Sequence, residues 1–185
     1  MKFRPILQVS LGLVIAGCAF RTSPPTQLYV LPSAPVESRT ALVQETLGLL
    51  PIRLPRYLDR PQIVTVEPDG QVHAAEFHRW AEPLAAGVSR LLAEGLSARL
   101  QAQVVLLPAS LPVERTLEIQ VRDFKVSQGQ CLLAVAWRIK GSNPPSAWHR
   151  QTLLQPVQGE GYSAIVAAMG KAVDQLAERI AEQLR

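Results

Sequence analysis

The segment "CLLAVAWRIK" sets Cys131, Leu133, Val135, Trp137 and Ile139 at every second position. Alternation of period two turns those five side chains to one side of an extended chain, so the segment predicts a strand with one buried face. Cys131 is thereby read as a core residue and not as a reactive thiol. A strand of this kind needs a second layer to cover it, and two stretches of helical period supply one. In Leu84 to Leu100, the residues Leu84, Val88, Leu91 and Leu92 share a face, with Arg90 and Glu94 pointing away. In Tyr162 to Leu184, Ile165, Met169, Val173, Leu176 and Ile180 form one stripe opposite Lys171, Asp174, Glu178 and Glu182. At about 1.5 Å per residue this second helix is about 34 Å long. Gly95 lies in the middle of the first helix's apolar face, where a glycine costs about 1 kcal/mol of helix propensity. Its placement there predicts close approach of a neighbouring element.

Further strands are expected at Gln27 to Leu31, Leu47 to Leu54, Ile63 to Val66, Val72 to Phe77, Val104 to Leu107, Thr116 to Val126 and Trp148 to Leu154. Pro51 argues that the second of these is an edge or carries a bulge. "EPDGQ", with Asp69 and Gly70, is a hairpin turn between the third and fourth. Strands, helix, strands, helix is the order of an α+β fold. The expected architecture is a single antiparallel or mixed β-sheet with two amphipathic helices packed on one face.

The N-terminus is of another kind. Lys2 and Arg4 precede an apolar run from Ile6 to Ala16, and small residues come just before Cys18, which is the layout of a signal peptide. The run is about half of the roughly 20 residues a membrane-spanning helix needs, and Gln8 and Ser10 interrupt it. Ile15-Ala16-Gly17-Cys18 resembles the bacterial lipobox, in which the chain is cut before the cysteine and the thiol receives a diacylglyceryl group. Residues 1–17 then form a lipoprotein signal peptide, 18–26 a lipidated cysteine and a tether stretched by "SPP", and 27–185 one domain. The residue after Cys18 is Ala19, not the aspartate that favours retention in the inner membrane, so anchoring on the periplasmic face of the outer membrane is expected. The chain has two cysteines; with Cys18 acylated, Cys131 has no partner and packing alone must hold the fold. Loss of Lys2 and Arg4 lowers the net charge from +4 to +2, and this small excess is no argument for a nucleic-acid partner.

Few residues are arranged for chemistry. "GEGYSA", Gly159 to Ala164, fits a dinucleotide-binding pattern, but Glu160 would face the phosphates and no second parallel strand follows. It is better read as a glycine turn entering a helix. His73, His78 and His149 lack metal-ligand spacing, so no metal and no cofactor is expected. No serine sits in the strained turn that hydrolases use; Ser163 with His78, and Glu76 and Glu82 around His78, are the nearest to a catalytic set.

Two segments stand out. "LPRYLDRPQIVTV" confines Arg56, Tyr57, Leu58, Asp59 and Arg60 between prolines, and "AEFHRWAEPL" gathers Phe77, Arg79, Trp80 and Glu82 ahead of a proline-led helix. Arginine and aromatic residues in such density suit an interface; equally, Trp80 and Leu58 could plug the junction of helix and sheet. With the lipobox, the early "LYVL" and the C-terminal amphipathic helix, these segments resemble the PqiC-like family of ABC-type transport auxiliary lipoproteins. The resemblance implies a non-enzymatic outer-membrane lipoprotein that forms homo-oligomeric rings. It implies a partnership with an MCE-domain protein (PqiB-like) in moving lipid between membranes and supporting envelope integrity. The alternatives are a lipid-binding module holding an acyl chain between helices and sheet, and a periplasmic hydrolase.

Overall fold

The computed structural model describes residues 23–33, 46–100, 102–110, 112–141 and 146–184. The signal peptide, Cys18 and the start of the tether lie outside the described residues, as does the middle of "GSNPPSA". In chain order the strands are β1 (Gln27–Tyr29), β2 (Thr46–Leu49), β3 (Gln62–Val66), β4 (Val72–Trp80), β5 (Gln103–Leu106), β6 (Arg115–Ser127), β7 (Gln130–Lys140) and β8 (His149–Pro156). Helix α1 (Leu84–Leu100) joins β4 to β5, and α2 (Gly161–Leu184) follows β8. Among the described residues the class is α+β with two α-helices, as the sequence indicates. No helix among the described residues is long and apolar enough to cross a membrane.

The strands do not form the single sheet expected of them. They divide into a three-stranded sheet of order β1-β4-β3 and a five-stranded sheet of order β5-β2-β6-β7-β8. Prolines explain the break, because a residue with no N–H cannot donate to a ladder. β2 runs parallel to β6, with Leu49 opposite Leu117, and the chain holds that course as far as a lone bridge from Arg53 to Gln120. Past Pro55 it turns off through a 3-10 turn, Arg56–Leu58. β3 starts only after Pro61, packed beside β6 but laddered to β4. β2 itself ends at Leu49, short of Pro51, and it is an interior strand with β5 and β6 both parallel to it. The expected edge or bulge within Leu47 to Leu54 is therefore replaced by a strand end.

The larger sheet supplies more of the core than the smaller one. Cys131, Leu133, Val135, Trp137 and Ile139 are all at most 3% exposed, as their alternation requires. In β6 the inward set changes phase, from Leu117, Ile119 and Val121 to Phe124 and Val126. A bulge between Val121 and Asp123 inserts the extra residue that makes the change. Against this face pack Val88, Leu92 and Leu96 of α1 and Val173, Leu176 and Ile180 of α2, all fully buried. The helices also meet each other: a Cβ on Gly95 would stand 3.0 Å from the Cβ of Ala177. Arg99 donates to Asp174 across the same seam at 2.8 Å. The glycine predicted to admit a neighbour admits α2.

The segment after β1 crosses the helices as a strap. Leu31 is buried, and the ring of Pro32 fills the space where a Cβ on Gly170 of α2 would lie, 2.9 Å away. Arg90 holds the strap from α1. Its guanidinium donates to the Leu31 carbonyl at 3.3 Å and to Glu82 at 2.8 Å, and Ser33 donates to Glu94 at 2.8 Å. Arg90 and Glu94 do leave the core face of α1, but they grip the strap instead of simply facing solvent.

Candidate interaction surface

The two arginine and aromatic segments meet at the end of the small sheet. Gln62 lies opposite Arg79, and the Trp80 N–H donates to the Pro61 carbonyl at 2.7 Å. On the far side of β4, the Ala81 N–H donates to the Tyr29 carbonyl at 2.8 Å, which brings β1 to the same place.

The nine residues singled out in the sequence fall into three groups. Leu58 and Trp80 are buried, 3% and 7% exposed, and belong to the main core cluster; they plug the junction. Tyr57 and Glu82 are half-buried and held by partners. The 3-10 turn, closed by Leu58 N–H to the Pro55 carbonyl at 2.9 Å, aims the Tyr57 hydroxyl at Asp123, to which it donates at 2.6 Å. Burial first, and then the hydrogen bond to the Asp123 carboxylate and its charge, push the phenol above its usual range. Asp123 stands at the β6 bulge and also pairs with Lys125 at 2.9 Å. Glu82 is taken up by Arg90 at 2.8 Å. Of the rest, Arg56, Asp59 and Arg60 are exposed, and Phe77 and Arg79 are half-buried. Arg79 donates through Nε to the Glu76 carbonyl at 3.4 Å.

Phe77 ends the expected strand, and β4 continues past it to include Arg79 and Trp80. Tyr29, Asp123 and Arg90 complete this region and were not singled out by the sequence. Tyr29 lies in an alternating strand but its partner His78 is distant in sequence, Asp123 takes its place only through the bulge in β6, and Arg90 is recognisable only once the strap is in place.

The groups nearest to a catalytic set have other occupations. The His78 ring stacks on Tyr162 with centroids 4.0 Å apart, and its Nδ1 lies 3.0 Å from the Tyr29 hydroxyl. These contacts tie β1, β4 and α2 together. Ser163 is exposed on the first turn of α2. That helix is entered through positive φ at Gly159 and Gly161, the glycine turn expected of "GEGYSA". Among the described residues no cluster of His, Cys, Asp or Glu could hold a metal ion. Cys131 is a free, buried thiol, pushed up to about 12 by burial. An acyl chain between helices and sheet would need the space occupied by Val88, Leu92, Phe124, Leu133 and Leu176, all 0% exposed in one cluster.

Among the described residues, this end of the small sheet sets exposed Arg56 and Arg60 beside half-buried Phe77 and Arg79. The model of a family described as the ABC-type transport auxiliary lipoprotein component matches residues 29–181. The chain belongs to that family. Its fold is that of two solved structures in particular. One, an uncharacterized protein, superposes with a TM-score of 0.74 at 22% identity, over 88% of this chain and 100% of its own. The other, from Xanthomonas campestris and of the family DUF330, gives 0.67 at 17% identity, over 84% and 93%. At such identities the likeness concerns the fold alone. No curated protein matches the chain by sequence. That family is described by a role beside an ABC-type transporter.

Proposed function

We propose that the protein is the outer-membrane lipoprotein subunit of an MCE-type, PqiABC-like intermembrane lipid-transport system. Residues 1–17 are removed, Cys18 takes the lipid, and residues 18–26 tether the domain to the periplasmic face of the outer membrane. There a homo-oligomeric ring of the domain docks the periplasm-spanning MCE-domain protein and supports envelope integrity, without catalysis and without a cofactor. The observation that carries this reading is the family match over residues 29–181. The lipobox and the outward-facing arginines at the end of the small sheet agree with it.

Arg56 and Arg60 are the residues offered to the partner, since both are exposed and exposed charges govern encounter and orientation at an interface. Crosslinking in intact envelopes, followed by identification of the captured proteins, tests the proposal. An MCE-domain protein is the expected product, and its absence would overturn the function. The double variant Arg56→Glu/Arg60→Glu should weaken that capture about tenfold, the equivalent of about 1.4 kcal/mol. Its folding stability should stay within about 0.5 kcal/mol of the parent. Unchanged capture and unchanged self-association would remove the arginines from the interface.

A further inference from the structure

We propose that Leu28, Val30 and Arg79 form a membrane-contacting surface, which rests on the headgroup layer of the same bilayer that holds the Cys18 anchor. Five large apolar side chains are exposed among the described residues: Leu28, Val30, Val72, Leu106 and Leu154. Two of them, Leu28 at 65% and Val30 at 53% exposure, occur together at i and i+2 on β1 and the residue after it. Alternation sends Tyr29 and Leu31 inward, to His78 and to the core, and so turns Leu28 and Val30 outward as a pair. Leu28 lies opposite Arg79, and Arg79 lies opposite Gln62. The row across the sheet is thus aliphatic, cationic and polar on one face.

The length of the tether between Cys18 and β1 points to the occupant. Eight residues, 19–26, separate Cys18 from Gln27. At about 3.5 Å per fully extended residue they reach about 30 Å, and at the about 3.1 Å of a proline-stretched segment somewhat less. β1 is the first element after that tether, so its outward face is the region of the fold that an anchored chain holds nearest the bilayer. Aliphatic side chains beside arginine suit the headgroup boundary: the former enter the apolar edge while the guanidinium stays with phosphate. The occupant is accordingly a phospholipid surface carrying anionic headgroups. The inference rests on the Cys18 anchor of the proposed function and is independent of the MCE partner.

The mature lipoprotein allows a direct test. Cys18 is acylated and Cys131 is buried, so Leu28→Cys introduces one thiol open to an environment-sensitive fluorophore. Leu106→Cys, on the outer strand of the other sheet, labels an exposed position away from β1. Both proteins are reconstituted into vesicles of phosphatidylethanolamine and phosphatidylglycerol, with and without brominated acyl chains. A group seated about 5–10 Å into the interface should be quenched at least about twofold more than the control, and less when phosphatidylglycerol is omitted. Equal quenching at the two positions overturns the proposal. So does protection of the Leu28 label that arises only at high protein density or on adding an MCE-domain protein, for then the surface faces a protein. A purified chain with no acyl mass on Cys18 overturns the anchor and this inference together, whereas an anchored chain with an unquenched label overturns the inference alone.

Discussion

The two sheets are held by different means. In the five-stranded sheet the inward residues of β6 and β7 meet two helices, and stability comes from apolar area removed from water. The three-stranded sheet is narrower; Ile63, Val64, Ala75 and Trp80 join the same core, and to that burial it adds specific joins: Tyr57 to Asp123, His78 between Tyr29 and Tyr162, Trp80 to the Pro61 carbonyl. A sheet covered by two helices tolerates little loss of volume, while one that adds directed contacts to a smaller buried face can leave its outer face free for other work. The side of the molecule that we assign to membrane and partner is the side with the directed contacts.

Phe124→Ala is the strongest way to break that comparison. The ring is 0% exposed on β6, and its loss should destabilise the protein by about 3–5 kcal/mol, read from the midpoint of urea unfolding. Tyr57→Phe should cost less, about 1.5 kcal/mol, because it removes one hydrogen bond to a carboxylate that keeps Lys125. Hydrogen exchange should show the loosening near residues 56–62 and not across β6 and β7. The smallest effect is expected on the open face of the large sheet, where Arg138 and Lys140 reach Glu118 at 2.8 and 2.9 Å. The hydrogen bond from Lys140 first, and then that from Arg138, hold the Glu118 carboxyl below its ordinary 4.5. A carboxyl with a lowered folded pKa adds stability above its unfolded pKa, and that stability is lost as the pH falls through the folded value. Glu118→Gln should therefore cost about 1 kcal/mol at neutral pH, and the gap from the parent should close in acid denaturation below pH 4.5.

Features with strong period were readable from the sequence. α1 occupies the span expected, and α2 starts one residue earlier than expected. β7 buries each of its alternating residues, because periodicity reports burial directly. Pairing between distant strands is not periodic. Nothing in "TLGL" says that β2 lies between two parallel neighbours, or that the chain between Pro51 and Pro61 leaves one sheet for another. The same limit applied to the candidate surface. The two segments and their arginine and aromatic content could be read from the residues, but which of them point inward depends on the register at Gln62 and Arg79. That register sends Trp80 and Leu58 into the core and leaves Arg56 and Arg60 outside. The change of phase at Asp123, which gives Tyr57 its partner, is a single inserted residue in an otherwise regular strand.

The strap has a mechanical consequence. A chain anchored ahead of Gln27 is pulled whenever the anchor drifts or a partner tugs at the domain. A pull along β1 loads its bonds to β4 in shear, so they resist together and do not break in succession as in peeling. Behind them Leu31 sits in the core as a stopper, Pro32 is wedged against α2, and Arg90 clamps from α1. Tension arriving from the membrane is thus delivered to both helices at once, and the first strand serves as the strain relief for the rest of the fold.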